Sequence, residues 1–208
     1  MTDELPAGLE RREGWIWPAT DREAWNAVWA TRPDLDRAIS LCERTRVAVQ
    51  AGGNAGVWPA HLASRFDWVY TFEPDALNFM ALTRNVARPN VFAYRAALGT
   101  GLKNVHLEEY RADNRGAGYV AEGGPIPVLQ IDALNLEACD LIALDTEGTE
   151  AGALMGAAMT IVRHKPVVMF EEKHWQRYGN AGPREVMEKH FRYKVAAEVH
   201  RDVIMVRA

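Results

Sequence analysis

Val47-Ala48-Val49-Gln50-Ala51-Gly52-Gly53-Asn54-Ala55-Gly56 is an apolar run that breaks into three glycines and an asparagine. Val57-Trp58-Pro59-Ala60-His61-Leu62-Ala63-Ser64-Arg65 follows and reads as a helix with Pro59 in its first turn, where a missing N–H does no harm. The order is strand, glycine loop, helix. With no side chains at Gly52, Gly53 and Gly56, a ligand can lie against bare backbone at the positive end of a helix. Tight turns need glycine too, so the loop alone is a weak signal. The next apolar run, Trp68-Val69-Tyr70-Thr71-Phe72, ends in Glu73-Pro74, and Glu73 lies 21 residues past Gly52. A nucleotide-binding strand-helix-strand unit places an acid at that offset, where one carboxylate accepts both ribose hydroxyls. The paired acid makes nucleoside binding the better reading.

Downstream, residues 75–85 carry apolar side chains at helical spacing, Pro89-Asn90 turns the chain, and residues 91–98 read as a third strand. Strand and helix alternating with short turns predict a parallel sheet with helices on both faces. Right-handed crossovers then gather the strand C-termini on one edge, where ligands bind. A fourth strand over 140–145 ends in Asp145, followed by Thr146-Glu147-Gly148-Thr149-Glu150 and a long helix through Leu154, Met155, Ala158, Ile161 and Val162. A fifth strand over 166–172 ends in Glu171-Glu172, with Lys173-His174-Trp175 after it. Pro183 opens a helix to His190, and residues 193–199 and 203–207 form a terminal hairpin.

Upstream, the spacing predicts a loosely held lead-in over residues 1–14. Thr20-Asp21-Arg22-Glu23 has the form of a capping box and starts a helix that Pro33 ends. A second helix over 34–42 leads into the glycine strand, so residues 1–45 read as a helical lead-in to one domain spanning 1–208. Trp15, Trp17, Trp25 and Trp29 recur at a spacing that favours packing over an aromatic substrate wall. Between the third and fourth strands, residues 101–131 read as a β insertion or flap. Val105-His106-Leu107-Glu108-Glu109-Tyr110 alternates, Asp113-Asn114-Arg115-Gly116-Ala117-Gly118 is a loop, and residues 126–131 form another strand. A lid and a simple edge extension are both open readings of it.

The totals fit an ordinary globular protein: 48% hydrophobic, 25% charged, formal charge −4. The overall charge gives no basic excess to hold a nucleic-acid backbone, so DNA or RNA is disfavoured as a partner, with a local basic patch still open. Only Cys42 and Cys139 occur, too few for a disulfide framework or a thiolate metal cluster. The first residues show no basic-then-apolar signal, and no apolar run approaches the roughly 20 residues of a membrane span. A soluble, cytoplasmic protein is expected. The glycines miss the G-x-G-x-x-G spacing of dinucleotide enzymes, and no Walker lysine follows them, which disfavours phosphoryl transfer.

Gln50-Ala51-Gly52-Gly53-Asn54-Ala55-Gly56, Thr71-Phe72-Glu73-Pro74, Ala96-Ala97-Leu98-Gly99, Asp145-Thr146-Glu147-Gly148-Thr149-Glu150 and Pro166-Val167-Val168-Met169-Phe170-Glu171 stand in one order along the chain. Over about residues 45–175 this order and spacing resembles the FkbM family of S-adenosylmethionine-dependent methyltransferases. The resemblance implies a Rossmann-like three-layer αβα sandwich, with a mostly parallel seven-stranded sheet and a C-terminal antiparallel hairpin. It also implies S-adenosyl-L-methionine as cofactor and a hydroxyl on a small-molecule or sugar-like acceptor as target. By the same resemblance, Gly52, Asn54 and Gly56 wrap the methionine part, Glu73 with Pro74 holds the ribose, and Ala97 flanks the adenine. Asp145 borders cofactor and acceptor. The family usually has an aspartate where this chain has Gln50, whose neutral amide makes a weaker contact to the cofactor's amino group.

Methyl transfer to a hydroxyl needs an aligned acceptor and a base, and the candidates are Asp145, Glu171 and His174. Glu147 and Glu150 open a helix, where the dipole favours acids without any function. Asp145, Glu171 and Glu172 could offer hard oxygens to a divalent ion, yet no ligand-spacing motif supports it and no metal is expected. No Pro-Pro-aromatic run follows Asp145 and no cysteine follows a proline, which disfavours a base-modifying enzyme. The competing reading is a binding or structural protein that keeps the shell without turnover, a reading Gln50 favours and Glu73 and Asp145 oppose.

Overall fold

The computed structural model describes residues 4–101, 103–108, 118–179 and 181–208. Strands β1 (Leu9–Arg12) and β2 (Trp15–Pro18) form a hairpin turned at Glu13 and Gly14, both at positive φ. The lead-in is thus partly a strand. Asn85 fixes it by accepting the Ile16 N–H at 2.9 Å and donating to the Ile16 carbonyl at 2.7 Å. Helices α1 (Glu23–Ala30) and α2 (Arg32–Ile39) follow, with Pro33 in the first turn of α2. Asp21 takes the capping role expected of Thr20, accepting the Ala24 N–H at 3.4 Å. The tryptophans pack edge to face on one another, Trp17 against Trp25 at 5.0 Å and Trp15 against Trp29 at 5.4 Å.

The predicted alternation then appears as β3 (Val47–Ala51), α3 (Val57–Leu62), β4 (Trp68–Phe72), α4 (Ala76–Asn85) and β5 (Val91–Tyr94). The third strand stops at Tyr94, and Ala97–Leu98 forms a separate β6. Next come β7 (Val105–Glu108), β8 (Tyr119–Glu122) and β9 (Val128–Leu129). β7 and β8 pair as the expected hairpin, and β9 runs parallel to β6. The strand end at 109–110 and the loop at 113–117 lie outside the described residues.

The remaining elements are β10 (Leu141–Leu144), α5 (Glu150–Met155), α6 (Ala158–His164), β11 (Val167–Glu171), α7 (Pro183–Phe191), β12 (Tyr193–Val199) and β13 (Asp202–Arg207). The single helix expected through Leu154 and Val162 is two. The break falls at Gly156, over which the Gly99 carbonyl lies so close that a Cβ would meet it at 2.0 Å. Asp132 then caps α6, accepting the N–H groups of Met159 and Thr160 at 2.9 and 2.8 Å.

Seven strands form one sheet in the order β12-β13-β11-β10-β3-β4-β5, mostly parallel, with β13 running against both its neighbours. Alternate residues go to opposite faces, and both faces are covered. Val49, Ile142, Leu144, Val168 and Phe170 meet Leu154 of α5 and Met187 of α7; Ala48, Leu141, Ala143 and Met169 meet Leu35 of α2 and Leu62 of α3. Truncating one of these side chains, such as Leu144→Ala, costs about 2–5 kcal/mol. β3, β4, β10 and β11 all end on the same edge, which brings Gly52, Glu73, Asp145 and Glu171 together. Among the described residues, no helix is long and apolar enough to cross a membrane.

Candidate active site

At the end of β3 the chain turns under its neighbours. The N–H groups of Gly52 and Gly53 both donate to the Phe72 carbonyl at 3.0 Å. Gly52 has φ +79°, and a Cβ there would lie 1.8 Å from the Asp145 carbonyl oxygen, so no other residue fits between these strand ends. Asn54 also takes a positive φ, 44°. Its N–H donates to one Glu73 carboxylate oxygen at 2.7 Å, and the Asp75 N–H donates to the other at 2.8 Å. Asp75 in turn caps α4 through the N–H groups of Leu77 and Asn78. Two backbone donors and a helix cap therefore fix Glu73 in place.

A cavity of about 410 Å³ opens over this edge, a size ordinary for small-molecule sites. Gly52, Asn54, Glu73, Pro74, Ala97 and Asp145 line it. So do Ala24 and Ala27 of α1, Trp58, Glu171, Lys173, His200 and Asp202. Thus most of the predicted site residues meet in one cavity. Gln50, Gly56 and His174 are not among its lining residues. Gln50 is fully buried beneath the loop, accepting from the Thr71 hydroxyl at 2.6 Å and donating to the Ala51 carbonyl at 2.9 Å. Gly56, at φ +99°, lets α3 start against α4, where a Cβ would meet Val86 at 2.6 Å. His174 has its Nε2 3.9 Å from Glu147, which does line the cavity.

Carboxylate oxygens of Asp145, Glu147 and Glu171 lie within 4.8 Å of one another, close enough to share a cation. Lys173 occupies that role, with its ammonium 3.1 Å from Glu171 and 3.5 Å from Glu147. Glu172, the third acid considered from the sequence, turns away to Arg184 at 2.9 Å. Enclosure by protein, then the neighbouring carboxylates, push Asp145 well above the usual carboxylate range. Burial raises Glu147 as well, against the pull of Lys173. Burial opposes the charge on Lys173, yet Glu147 and Glu171 hold its ammonium above the ordinary value.

A sequence profile of the Methyltransferase FkbM domain matches residues 50–204, three-quarters of the chain. The chain belongs to the FkbM methyltransferase family. Among solved structures, the FkbM methyltransferase of Methylobacillus flagellatus KT is 20% identical, with a TM-score of 0.53 over 77% of this chain and 43% of that one. This FkbM domain thus spans less than half the length of that protein. The precorrin-6y C5,15-methyltransferase of Geobacter metallireducens GS-15 is 13% identical, with a TM-score of 0.51 over 85% and 86% of the two chains. These likenesses show a shared Rossmann-like fold. Comparison with curated protein sequences finds no match.

Three residues of the FkbM domain's cavity were not singled out from the sequence. Lys173 looked like a lysine beside a candidate histidine, Glu147 was explained by the helix dipole, and Asp202 fell in a hairpin turn. Asn78 is a fourth. It lines the cavity from the first turn of α4, is 1% exposed, and its Oδ1 has no hydrogen-bond partner among the described residues. A buried acceptor left unpaired on a cavity wall is satisfied by a ligand's donor. Both thiols are free, and burial raises them, Cys42 to about 12. They are chemically quiet.

Proposed function

We propose that the chain is an S-adenosylmethionine-dependent methyltransferase acting on a hydroxyl of a small or sugar-like acceptor. The observation that carries this reading is Glu73, an acid on the cavity wall held by the N–H groups of Asn54 and Asp75. The cofactor, when bound, supplies an electrophilic methyl group on a sulfonium. The bare backbone of Gly52 and Gly53 gives close approach to its amino-acid part, and Glu73 accepts from its ribose hydroxyls. Ala97 and Leu98 flank the adenine, and the unpaired Asn78 Oδ1 offers an acceptor to a nucleoside donor. The carboxylates of Glu73, Asp75, Asp145, Glu147, Glu171 and Asp202 line the cavity against the cations of Lys173 and Arg201, an acidic wall that favours a cationic cofactor over its neutral product.

The acceptor lies against Ala24, Ala27 and Trp58, which line the cavity with apolar surface. Asp145 and Glu171 line the same cavity and offer carboxylate oxygens to its hydroxyls. Burial, then the neighbouring carboxylates, make Asp145 more basic than an ordinary carboxylate, which suits a general base. His174, outside the cavity, takes no direct part. The test is incubation with methyl-labelled cofactor and a panel of polyhydroxylated and amine acceptors. Label on hydroxyl oxygen supports the reading, and label on nitrogen alone overturns its oxygen-directed part.

A further inference from the structure

Strands β7 and β8 lie outside the central sheet, yet they line the cavity. The sequence of β7 alternates, Val105-His106-Leu107-Glu108, which gives the hairpin one apolar and one polar face. Leu107 stands directly opposite Val120 in the register of the pair. Both side chains line the cavity, and both pack with Ala97, Val105 and Ile126 in a small apolar cluster outside the main core. On the other face, the Tyr119 hydroxyl donates to Glu108, and the Arg177 guanidinium lies 3.9 Å over the Tyr119 ring. The Val120 backbone reaches the Tyr178 hydroxyl. The hairpin is therefore packed on Ala97 and also fastened to the segment that follows β11.

A ribose on Glu73 fixes the direction in which its base extends. With the cofactor's amino-acid part over Gly52, at the end of β3, and its ribose at the end of β4, the base continues toward β5. Asp145 and Glu171 lie the other way along the sheet, after β10 and β11. The Glu73 N–H donates to the Tyr94 carbonyl at 3.1 Å, so the β5 end is its immediate neighbour. From there the chain runs through Arg95 and Ala96 into β6, whose Ala97 packs with Leu107 and Val120. A nucleobase is flat, and its faces gain most from apolar surface laid against them. Leu107 and Val120 are only half-buried, so both still have apolar surface to cover.

We propose that the β7–β8 hairpin is the wall that holds the cofactor's adenine, with Leu107 and Val120 against one face of the ring. The inserted strands then serve the cofactor and leave the choice of acceptor to other parts of the cavity. Leu107 and Val120 are binding residues. Tyr119 and Arg177, which do not line the cavity, position the hairpin from its outer face. The inference rests on the methyltransferase reading and adds to it a pair of residues 13 positions apart in the chain that meet only through the hairpin register.

The test compares S-adenosylhomocysteine with S-ribosylhomocysteine, which keeps the sugar and amino-acid parts and lacks the base. Calorimetric titration of the full chain should show Leu107→Ala weakening the first by about tenfold and leaving the second unchanged. A variant that merely loosened the fold would weaken both. A second measurement needs no variant: with labelled leucine and valine methyls, nuclear Overhauser contacts should link Leu107 and Val120 to the adenine ring protons of bound S-adenosylhomocysteine. Absent contacts, an equal loss for both compounds, or no loss for either overturns the proposal while the methyltransferase reading stands. Folded wild type that does not bind S-adenosylhomocysteine overturns both.

Discussion

Glu73 accepts the backbone N–H of Asn54 at 2.7 Å across 19 residues of sequence, so the acid at the end of β4 holds the glycine loop that leaves β3. Its other oxygen anchors Asp75 and, through it, the start of α4. One carboxylate thus organises the loop before any ligand arrives. Glu73→Ala removes this brace together with the ribose acceptor. Calorimetry should show S-adenosylhomocysteine binding weakened by more than roughly tenfold, the loss of one charge-assisted pair. Unchanged affinity in a folded variant contradicts the ribose placement.

Gly52 is the tightest point of the site. An alanine there combines φ +79° with a Cβ 1.8 Å from the Asp145 carbonyl, so β3 and β10 must part at their ends. Gly52→Ala should lower unfolding free energy by roughly 2 kcal/mol or more in denaturant titration. A variant as stable as wild type would show that the strand ends do not approach this closely.

The buried Gln50 amide answers to Thr71. Thr71→Val keeps the shape, removes the hydroxyl and leaves Gln50 Oε1 without its donor. The expected cost is roughly 1–3 kcal/mol of stability, with cofactor affinity retained, because Gln50 sits under the loop. Weaker cofactor binding at unchanged stability would instead return Gln50 to the binding site.

Glu150 adds a pH dependence of definite sign. Its Oε1 accepts from the N–H and hydroxyl of Thr146 at 2.8 and 3.0 Å, yet burial still raises its carboxyl to about 7. A folded-state value above the unfolded one means that the folded protein keeps a proton the unfolded chain gives up. Its contribution is therefore full below the unfolded value, about 4.3, and is lost as pH rises toward about 7. Glu150→Gln removes this term. Denaturation at several pH values should show the variant gaining on wild type across that window, by at most roughly 4 kcal/mol. A gap that stays constant or closes as pH rises contradicts the assignment.

The glycine stretch, the acid 21 residues on and the terminal hairpin were legible because each is written locally, in period, offset or turn residues. What was missed depends on distant partners. β1 is Leu9-Glu10-Arg11-Arg12, with no apolar alternation, and it pairs with β2, which is held by Asn85 from α4. The break at Gly156 answers to Gly99, and its capping aspartate comes from residue 132. Asp34 and His200 stand 166 residues apart, so neither looked like more than a helix-start acid and a turn residue. Glu171 and Asp145 were readable as strand-end acids, but Lys173 and Asp202 gain meaning only from the groups the sheet sets beside them.

Calorimetric titration of the full chain with S-adenosylmethionine and S-adenosylhomocysteine, with NAD as control, tests the central claim most directly. The account predicts saturable binding of the first two, lost in Glu73→Ala, and none of NAD. Folded protein that binds neither sulfur compound, or that binds NAD in their place, would contradict it.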